Sequence, residues 1–153
     1  MIIQVADNND KEELINYFNH YKNEKIIKNR VESYLKYNKM IIAKENNKIV
    51  GVLQWHIKEN PQSGVVEFEE IFVNKELRGK GIGSKLVDFA IKDVKEYFIS
   101  NNLKLRKIFL FTNKNNIPAR NLYKKYGFKF IAELNELFSD NEKEAFYCLS
   151  LDN

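Results

Sequence analysis

Cysteine is nearly absent from this chain, since Cys148 is the single one among 153 residues. An intrachain disulfide is therefore impossible, which agrees with a reducing compartment such as the cytoplasm. A catalytic thiol would need a histidine partner, but His20 and His56 stand in unrelated contexts, with no spacing typical of a triad or a metal site. We expect Cys148 to be a small buried residue in a late strand, and we expect no metal centre.

Long hydrophobic runs are also missing. No apolar segment approaches the roughly 20 residues that a membrane-spanning helix needs, and the opening residues MIIQVADNNDKEEL turn acidic too early for a secretion signal. The chain has only two prolines and no linker rich in glycine or serine. Its length suits one domain with a real core and is too short for two. We therefore expect a single domain over residues 1–153, cytoplasmic and without a membrane partner.

A dense basic stripe is the third missing feature. The net charge is +4, from 25 Lys and Arg against 21 Asp and Glu. Such a mildly basic protein could bind nucleic acid or a phosphorylated ligand. The basic residues are spread along the chain, however, and are not interleaved with aromatic residues. We therefore expect no nucleic-acid partner.

Apolar residues that are present recur with helical and strand periods in alternation. The pattern predicts strands at 1–5, 65–73 and 107–112, a hairpin over 40–57 that turns at Asn46–Asn47, late strands in FKFIAEL and EAFYCLSL, a first helix capped within 7–10, and helices at about 24–37, 81–100 and 117–126. Such alternation is typical of a mixed α/β sheet with helices on its faces.

The stretch RGKGIGS at 78–84 concentrates a residue that is otherwise scarce, since the whole chain has six glycines. It follows a predicted strand that ends at Val73 and precedes a helix that begins near Gly81. Amides at a helix start are unpaired and carry partial positive charge, and glycine lets an anion approach them closely. We therefore predict that this stretch binds phosphate. It lacks the P-loop signature, and Ser84 stands where the dinucleotide-binding fingerprint has its third glycine.

The spacing Arg78-x-x-Gly81-x-Gly83, within EEIFVNKELRGKGIGSKLVDFA, closely resembles the pyrophosphate-binding signature of the GNAT family of N-acetyltransferases. Members of that family bind acetyl-coenzyme A and transfer its acetyl group to an amine. The resemblance therefore implies acetyl-CoA as the acetyl donor and a primary amine as the acceptor.

A second stretch, NIPARNLYKKYGF at 116–128, is similar to the second motif of the same family. It has Asn116, then Ala119 three residues on and Tyr123 seven residues on, followed by Gly-Phe. Both motifs occur in the expected order, and the predicted elements match the family from end to end. The resemblance implies an α/β acyl-CoA N-acyltransferase fold, with a central mixed, mostly antiparallel sheet of six or seven strands flanked by about four helices.

The resemblance also implies which residues bind the cofactor. Amides of residues 79–84 would hold the pyrophosphate, backbone at Ile71 and Val73 would pair with the pantetheine arm, and the Val73 amide would stabilise the oxyanion. Asn116 would contact the cofactor arm. The implied cofactor-binding residues are Ile71, Phe72, Val73, Arg78, Gly79, Lys80, Gly81, Ile82, Gly83, Ser84, Asn116, Ala119 and Tyr123.

Tyr123 has two interpretations. By resemblance it protonates the departing thiolate. By pattern alone it shares a helical stripe with Ala119, Leu122 and Tyr126 and could belong to the core.

The general base is sought in VVEFEEIFV, which offers Glu67, Glu69 and Glu70. In a regular strand, Glu67 and Glu69 share one face and Glu70 lies on the other; a bulge, as the family has, would shift this phase. FEEIFV is similar to the same strand of spermidine/spermine acetyltransferases. On that basis Glu69, acting through a water, is the first candidate, Glu70 the second and Glu67 the third. Each could instead belong to a solvated charge run.

Three segments are expected to line the acceptor site: Asn19–Lys25, the 67–70 carboxylates and the 133–144 connection. The connection ELNELFSDNEKE carries five acidic residues against one lysine. It suits a cationic amine such as a polyamine or a lysine side chain, although it could equally be an exposed acidic loop.

Other functions stay open at this point. A protein N-terminus is a rival acceptor, because the family includes N-terminal acetyltransferases. A non-catalytic acyl-CoA-binding regulatory module is a rival of another class. Late strands often pair between subunits in this fold, so a homodimer is also expected as an option.

Overall fold

Seven strands and four helices make up the part of the chain that the computed structural model describes, residues 1–19 and 23–151. The strands are β1 Ile2–Val5, β2 Lys39–Glu45, β3 Lys48–Ile57, β4 Val65–Val73, β5 Lys107–Asn113, β6 Lys129–Asn135 and β7 Lys143–Ser150. The helices are α1 Lys11–Tyr17, α2 Glu24–Tyr37, α3 Ile82–Ser100 and α4 Ile117–Lys125. Single 3₁₀ turns precede α1, β4 and the glycine-rich stretch.

These elements divide into two compact units. The first unit is Met1–His56 with Glu70–Lys92, and the second is Ile57–Glu69 with the described chain from Asp93 onward. Both β4 and α3 contribute residues to each unit. A single domain over the whole chain stays a prediction.

In the first unit the strands follow the order β1-β2-β3-β4. The predicted hairpin is confirmed: β2 and β3 pair in antiparallel fashion, with Ile41 opposite Leu53. Asn46 and Asn47 form its turn with φ of 50° and 60°. Asparagine tolerates this left-handed region better than most residues do, so the turn follows from local chemistry.

The core of the first unit lies where α1 and α2 cover this sheet. Ile27, Val31 and Tyr34 recur at helical spacing along α2, and all three are buried. They pack with residues of α1, of its C-cap, of β2 and of β3, namely Leu14, Phe18, Met40, Ile42, Ile49 and Val52. The apolar period of the sequence therefore decides which face of each helix meets the sheet.

In the second unit the strands follow the order β4-β5-β7-β6. β4 and β5 pair in parallel from Val65 opposite Lys107 to Phe68 opposite Leu110, whereas β5/β7 and β6/β7 are antiparallel. Together with the first unit this gives the predicted mixed, mostly antiparallel arrangement of seven strands. Cys148 lies in β7, as predicted, but it is half-buried rather than buried, because it faces the partly exposed side of these strands.

Within residues 1–19 and 23–151, no helix is both long enough and apolar enough to cross a membrane.

Candidate active site

The glycine-rich stretch lies in the first unit, between the 3₁₀ turn Lys75–Leu77 and the start of α3. Gly79 and Gly81 have φ of +78° and +80°, a region that favours glycine. In the described chain, no heavy atom lies within 4 Å of the position that a Cβ would take at either residue. Ile82, the first residue of α3, is buried. The space beside both glycines is therefore open to a ligand.

The start of α3 makes this loop suitable for an anion. The first helical hydrogen bond runs from the Lys85 amide to the Gly81 carbonyl at 3.1 Å. Amides of the first turn have no carbonyl four residues earlier within the helix, and they carry the positive end of its dipole. The first turn has no acidic side chain, and Arg78, Lys80 and Lys85 surround it in sequence. These residues fit a pyrophosphate.

The end of β4, which the resemblance assigns to the pantetheine arm, is held by two side chains of the first unit. Arg78 Nε donates to the Val73 carbonyl at 3.0 Å, and the guanidinium lies 5.2 Å from the centre of the Phe72 ring. The Tyr17 hydroxyl donates to the Phe72 carbonyl at 3.3 Å. Burial raises the pKa of Tyr17 above its ordinary value, so the hydroxyl keeps its proton. Arg78 thus ties the glycine loop to the strand before it.

Glu70 lies within β4, in the stretch where the family resemblance implied a bulge. Its φ is +48°, a strained region for a residue with a side chain, with a cost of about 1–3 kcal/mol. One carboxylate oxygen, Oε1, accepts from both the Arg30 guanidinium and the Tyr34 hydroxyl, the latter at 3.1 Å. Arg30 and Tyr34 lie one turn apart on α2, and Arg30 Nε donates to the Tyr34 hydroxyl. α2 therefore holds the strained residue in place.

Glu67, on the second-unit part of β4, is also ion-paired. Its Oε2 lies 2.6 Å from Lys58 Nζ, and its side chain is almost completely buried. Glu69 is half-buried between these two residues and stays the first candidate for the base, as a prediction.

The second motif forms α4 and its flanks in the second unit. The Asn116 side chain accepts from the Ala119 amide at 3.3 Å and so caps the helix. Tyr123 is 4% exposed and packs against the rings of Phe128 and Tyr147 at 6.0 and 6.3 Å. Burial raises the pKa of Tyr123, so the phenol stays protonated, as an acid must. Tyr123 is thus a core residue by position, and its catalytic role stays a prediction.

Three acidic residues of the 133–144 connection have hydrogen-bond or ion-pair partners within the chain. Glu133 pairs with Lys114 at 2.9 Å, Glu136 accepts from the Asn141 amide at 3.1 Å, and Glu142 accepts from the Asn113 side chain at 3.1 Å. Of the other expected acceptor segment, Asn19–Lys25, positions 20–22 lie outside the described residues.

Comparison with known proteins agrees with this geometry. The sequence profile of the Acetyltransferase (GNAT) family matches residues 7–128. The chain belongs to the GNAT family. The predicted family is therefore confirmed.

Relatives of this GNAT protein differ in the acceptor that their names give. A spermine/spermidine N(1)-acetyltransferase of Bacillus subtilis (strain 168) is 33% identical over 76 residues, which is 50% of this chain and 47% of that one. An N-alpha-acetyltransferase of Sulfurisphaera tokodaii is 35% identical over 72 residues, 47% of this chain and 40% of that one. The matched region thus spans less than half the length of each of these relatives.

Solved structures share the GNAT fold over the whole chain. An N-acetyltransferase from Staphylococcus aureus Mu50 has a TM-score of 0.80 at 20% identity, covering 99% of this chain and 98% of that one. An aminoglycoside 6'-N-acetyltransferase complexed with coenzyme A has a TM-score of 0.76 at 16% identity, covering 100% and 98%. The predicted fold class is confirmed.

Sequence reasoning missed three residues of this GNAT site, namely Tyr17, Arg30 and Tyr34. All three contact β4 residues that lie 36 to 55 positions later in the chain. Tyr34 belongs to the core stripe of α2, and Arg30 lies one turn before it on the same face. One signal could have indicated the Arg30–Glu70 pair. An arginine stands beside a core stripe, and the same chain has a glutamate inside a strand, where a buried charge needs a partner.

Proposed function

We propose that this protein is an acetyl-CoA-dependent N-acetyltransferase that transfers the acetyl group to a primary amine by direct attack on the thioester. The observation that carries the proposal is the loop at 78–84, where the space beside two left-handed glycines at the start of α3 is open. The family match over residues 7–128 supports it.

Few protein groups are needed, because acetyl-CoA supplies an already activated acetyl group. The acceptor amine must lose a proton before it attacks, since a free alkyl amine is mostly ammonium at neutral pH. We assign that proton to Glu69, acting through a water. The Val73 amide would stabilise the developing oxyanion, and Tyr123, kept protonated by burial, would donate its proton to the departing sulfur.

For the acceptor, we favour a small cationic amine or polyamine. Acidic side chains of the β6–β7 connection and the polyamine named for the Bacillus subtilis relative support this choice. A protein N-terminus or lysine is the second candidate, and the name of the Sulfurisphaera tokodaii relative favours the N-terminus. A cytoplasmic location and a homodimer stay predictions.

The test is to mix the purified protein with acetyl-CoA and a panel of amines and to follow free thiol. The panel holds spermidine, butylamine, an N-acetylated lysine peptide and a peptide with a free N-terminus. We expect thiol release that depends on one class of amine. Tight CoA binding without thiol release for any amine would instead indicate a non-catalytic acyl-CoA-binding module.

A further inference from the structure

The second unit presents a row of phenyl rings on one side of its strands. Phe111 and Phe146 are register partners, and their rings stack at 5.0 Å. Phe109 meets the Phe146 ring at 5.8 Å, and Phe138 from the acidic connection meets the Phe111 ring at 5.8 Å. We call Phe109, Phe111, Phe138 and Phe146 the aromatic strip. Phe138 is 67% exposed, and the other three rings are half-buried.

A buried carboxylate lies at one end of this strip. Glu144 precedes Phe146 by two residues in β7, so both side chains lie on the same face. Its register partners are Asn113 and Leu134. Glu144 is 7% exposed, and within the described residues no hydrogen bond or ion pair engages its carboxyl group. Burying most of a carboxylate side chain without a protein partner is costly, so a cation bound at Glu144 would be stabilising.

Nearby cations of the chain are committed elsewhere. Lys114 pairs with Glu133 at 2.9 Å. Lys143 neighbours Glu144 in the strand, and alternation therefore puts it on the opposite face. Glu142 adds a second negative charge close to Glu144, and together with burial it raises the pKa of the Glu144 carboxyl group. A cation that enters from solvent would relieve both unfavourable contributions.

At the other end of the aromatic strip, a carboxylate is paired with an ammonium group, which Glu144 is not. There the Lys58 ammonium lies 2.6 Å from the Glu67 carboxylate and 6.0 Å from the centre of the Phe109 ring. Glu67 is buried, as Glu144 is. One end thus combines an ammonium, a carboxylate and a phenyl ring, a favourable combination. At the Glu144 end the chain supplies the carboxylate and the phenyl rings, and a ligand would supply the ammonium group.

We propose that Glu144, with Glu142 beside it, binds a second ammonium group of the acceptor amine, while the methylene chain of that amine lies along the aromatic strip. The occupant is a linear diamine or polyamine. Phenyl faces accept both methylene groups and an adjacent ammonium. This inference rests on the proposed function, because it takes the acceptor to be an amine, and it makes Glu144 a determinant of acceptor specificity.

The test compares spermidine with butylamine, which has one ammonium group. Calorimetry in the presence of CoA measures the binding of each amine to the wild type, to Glu144→Gln and to Asp140→Asn. The last variant removes an exposed charge from the same connection and serves as the matched control. We expect Glu144→Gln to weaken spermidine binding at least about tenfold, the scale of a lost charged hydrogen bond. Butylamine binding, and spermidine binding to the control variant, should change less than about twofold.

The KM for each amine provides the second measurement. In Glu144→Gln the KM for spermidine should rise while kcat stays the same, because the residue contacts the distal ammonium and not the reacting atoms. Equal effects of Glu144→Gln and Asp140→Asn on spermidine binding would overturn the inference, even if the wild type acetylates amines. A Glu144-dependent loss of spermidine binding in a protein that acetylates no amine would support it and would refute the proposed function instead.

Discussion

The candidate residues of the two units are of different kinds. In the first unit they are proposed to act through main chain: the amides around Gly79 and Gly81 and the backbone of Ile71 and Val73. In the second unit they are proposed to act through side chains, with Tyr123 as acid and Glu69 as base. Backbone recognition depends on conformation, whereas side-chain chemistry depends on particular atoms. Substitutions should therefore act on binding in one unit and on turnover in the other.

The largest effect on CoA binding should come from Gly81→Asp. No heavy atom of the described chain lies within 4 Å of the Cβ position, so the fold should survive with only the strain of a positive φ. A carboxylate near the pyrophosphate should weaken CoA binding by roughly 10²–10³-fold, since two charges about 4 Å apart repel by about 4 kcal/mol near a surface. Calorimetry with CoA measures the loss.

Gly81→Ala separates charge from conformation in the same experiment. It adds a Cβ without charge, so it should weaken CoA binding less than Gly81→Asp does. A folded Gly81→Asp protein with wild-type affinity for CoA would show that the loop does not bind the pyrophosphate.

Tyr123→Phe tests the side-chain half of the comparison. The ring stays and only the hydroxyl is lost, so CoA affinity should stay near that of the wild type. Turnover should fall by roughly 10²-fold or more, the scale of a lost proton donor. Because burial raises the pKa of Tyr123 above 10.0, the loss should be the same at pH 7 and pH 9. Full turnover in the variant would leave Tyr123 as a core residue alone.

Glu69→Gln is expected to lower turnover by less than Tyr123→Phe, because the base is proposed to act through a water. The loss should be largest at mildly acidic pH, where deprotonation of the amine limits the rate. Steady-state kinetics from pH 6 to pH 9 measure it, with Glu70→Gln beside it. If Glu69→Gln is fully active and Glu70→Gln is inactive, the carboxylate was chosen wrongly, and the Arg30–Glu70 pair belongs to the reaction.

Much of this could be read from the sequence, for a physical reason. α2 at Glu24–Tyr37 and β4 at Val65–Val73 have the predicted bounds, because apolar periods and flanking turn residues are local signals. The left-handed backbone of Glu70 and its contact with Arg30 were not predicted as such. That contact joins residues 40 positions apart, and tertiary packing decides it. The same holds for Tyr17 and the Phe72 carbonyl.

Asn116→Ala tests how the start of α4 differs from the start of α3. The start of α3 is proposed to bind a ligand through its amides, whereas the Asn116 side chain occupies the Ala119 amide at 3.3 Å. Loss of such a cap costs about 1 kcal/mol, which thermal unfolding should detect. If Asn116 acts only as a cap, CoA affinity should stay the same. A large loss of CoA affinity, with the stability change no larger than this, would show that the side chain also contacts the cofactor arm.

The smallest effect should be that of Glu144→Gln on stability. The raised pKa of the Glu144 carboxyl group decides whether the substitution stabilises or destabilises the protein. Burial and Glu142 raise the pKa of Glu144 above 4.5, so the folded state prefers the protonated form. Below pH 4.5 the wild type carries no penalty. As pH rises from there through the folded pKa, the wild type should lose stability relative to Glu144→Gln, and the difference should then stay constant to neutral pH. Thermal unfolding of both proteins from pH 4 to pH 8 measures this.

Spermidine should raise the melting temperature of the wild type at pH 7 more than that of the variant, because only the wild type gains a partner for a buried charge. A variant less stable than the wild type at neutral pH would mean that the Glu144 carboxylate already has a stabilising partner in the folded protein.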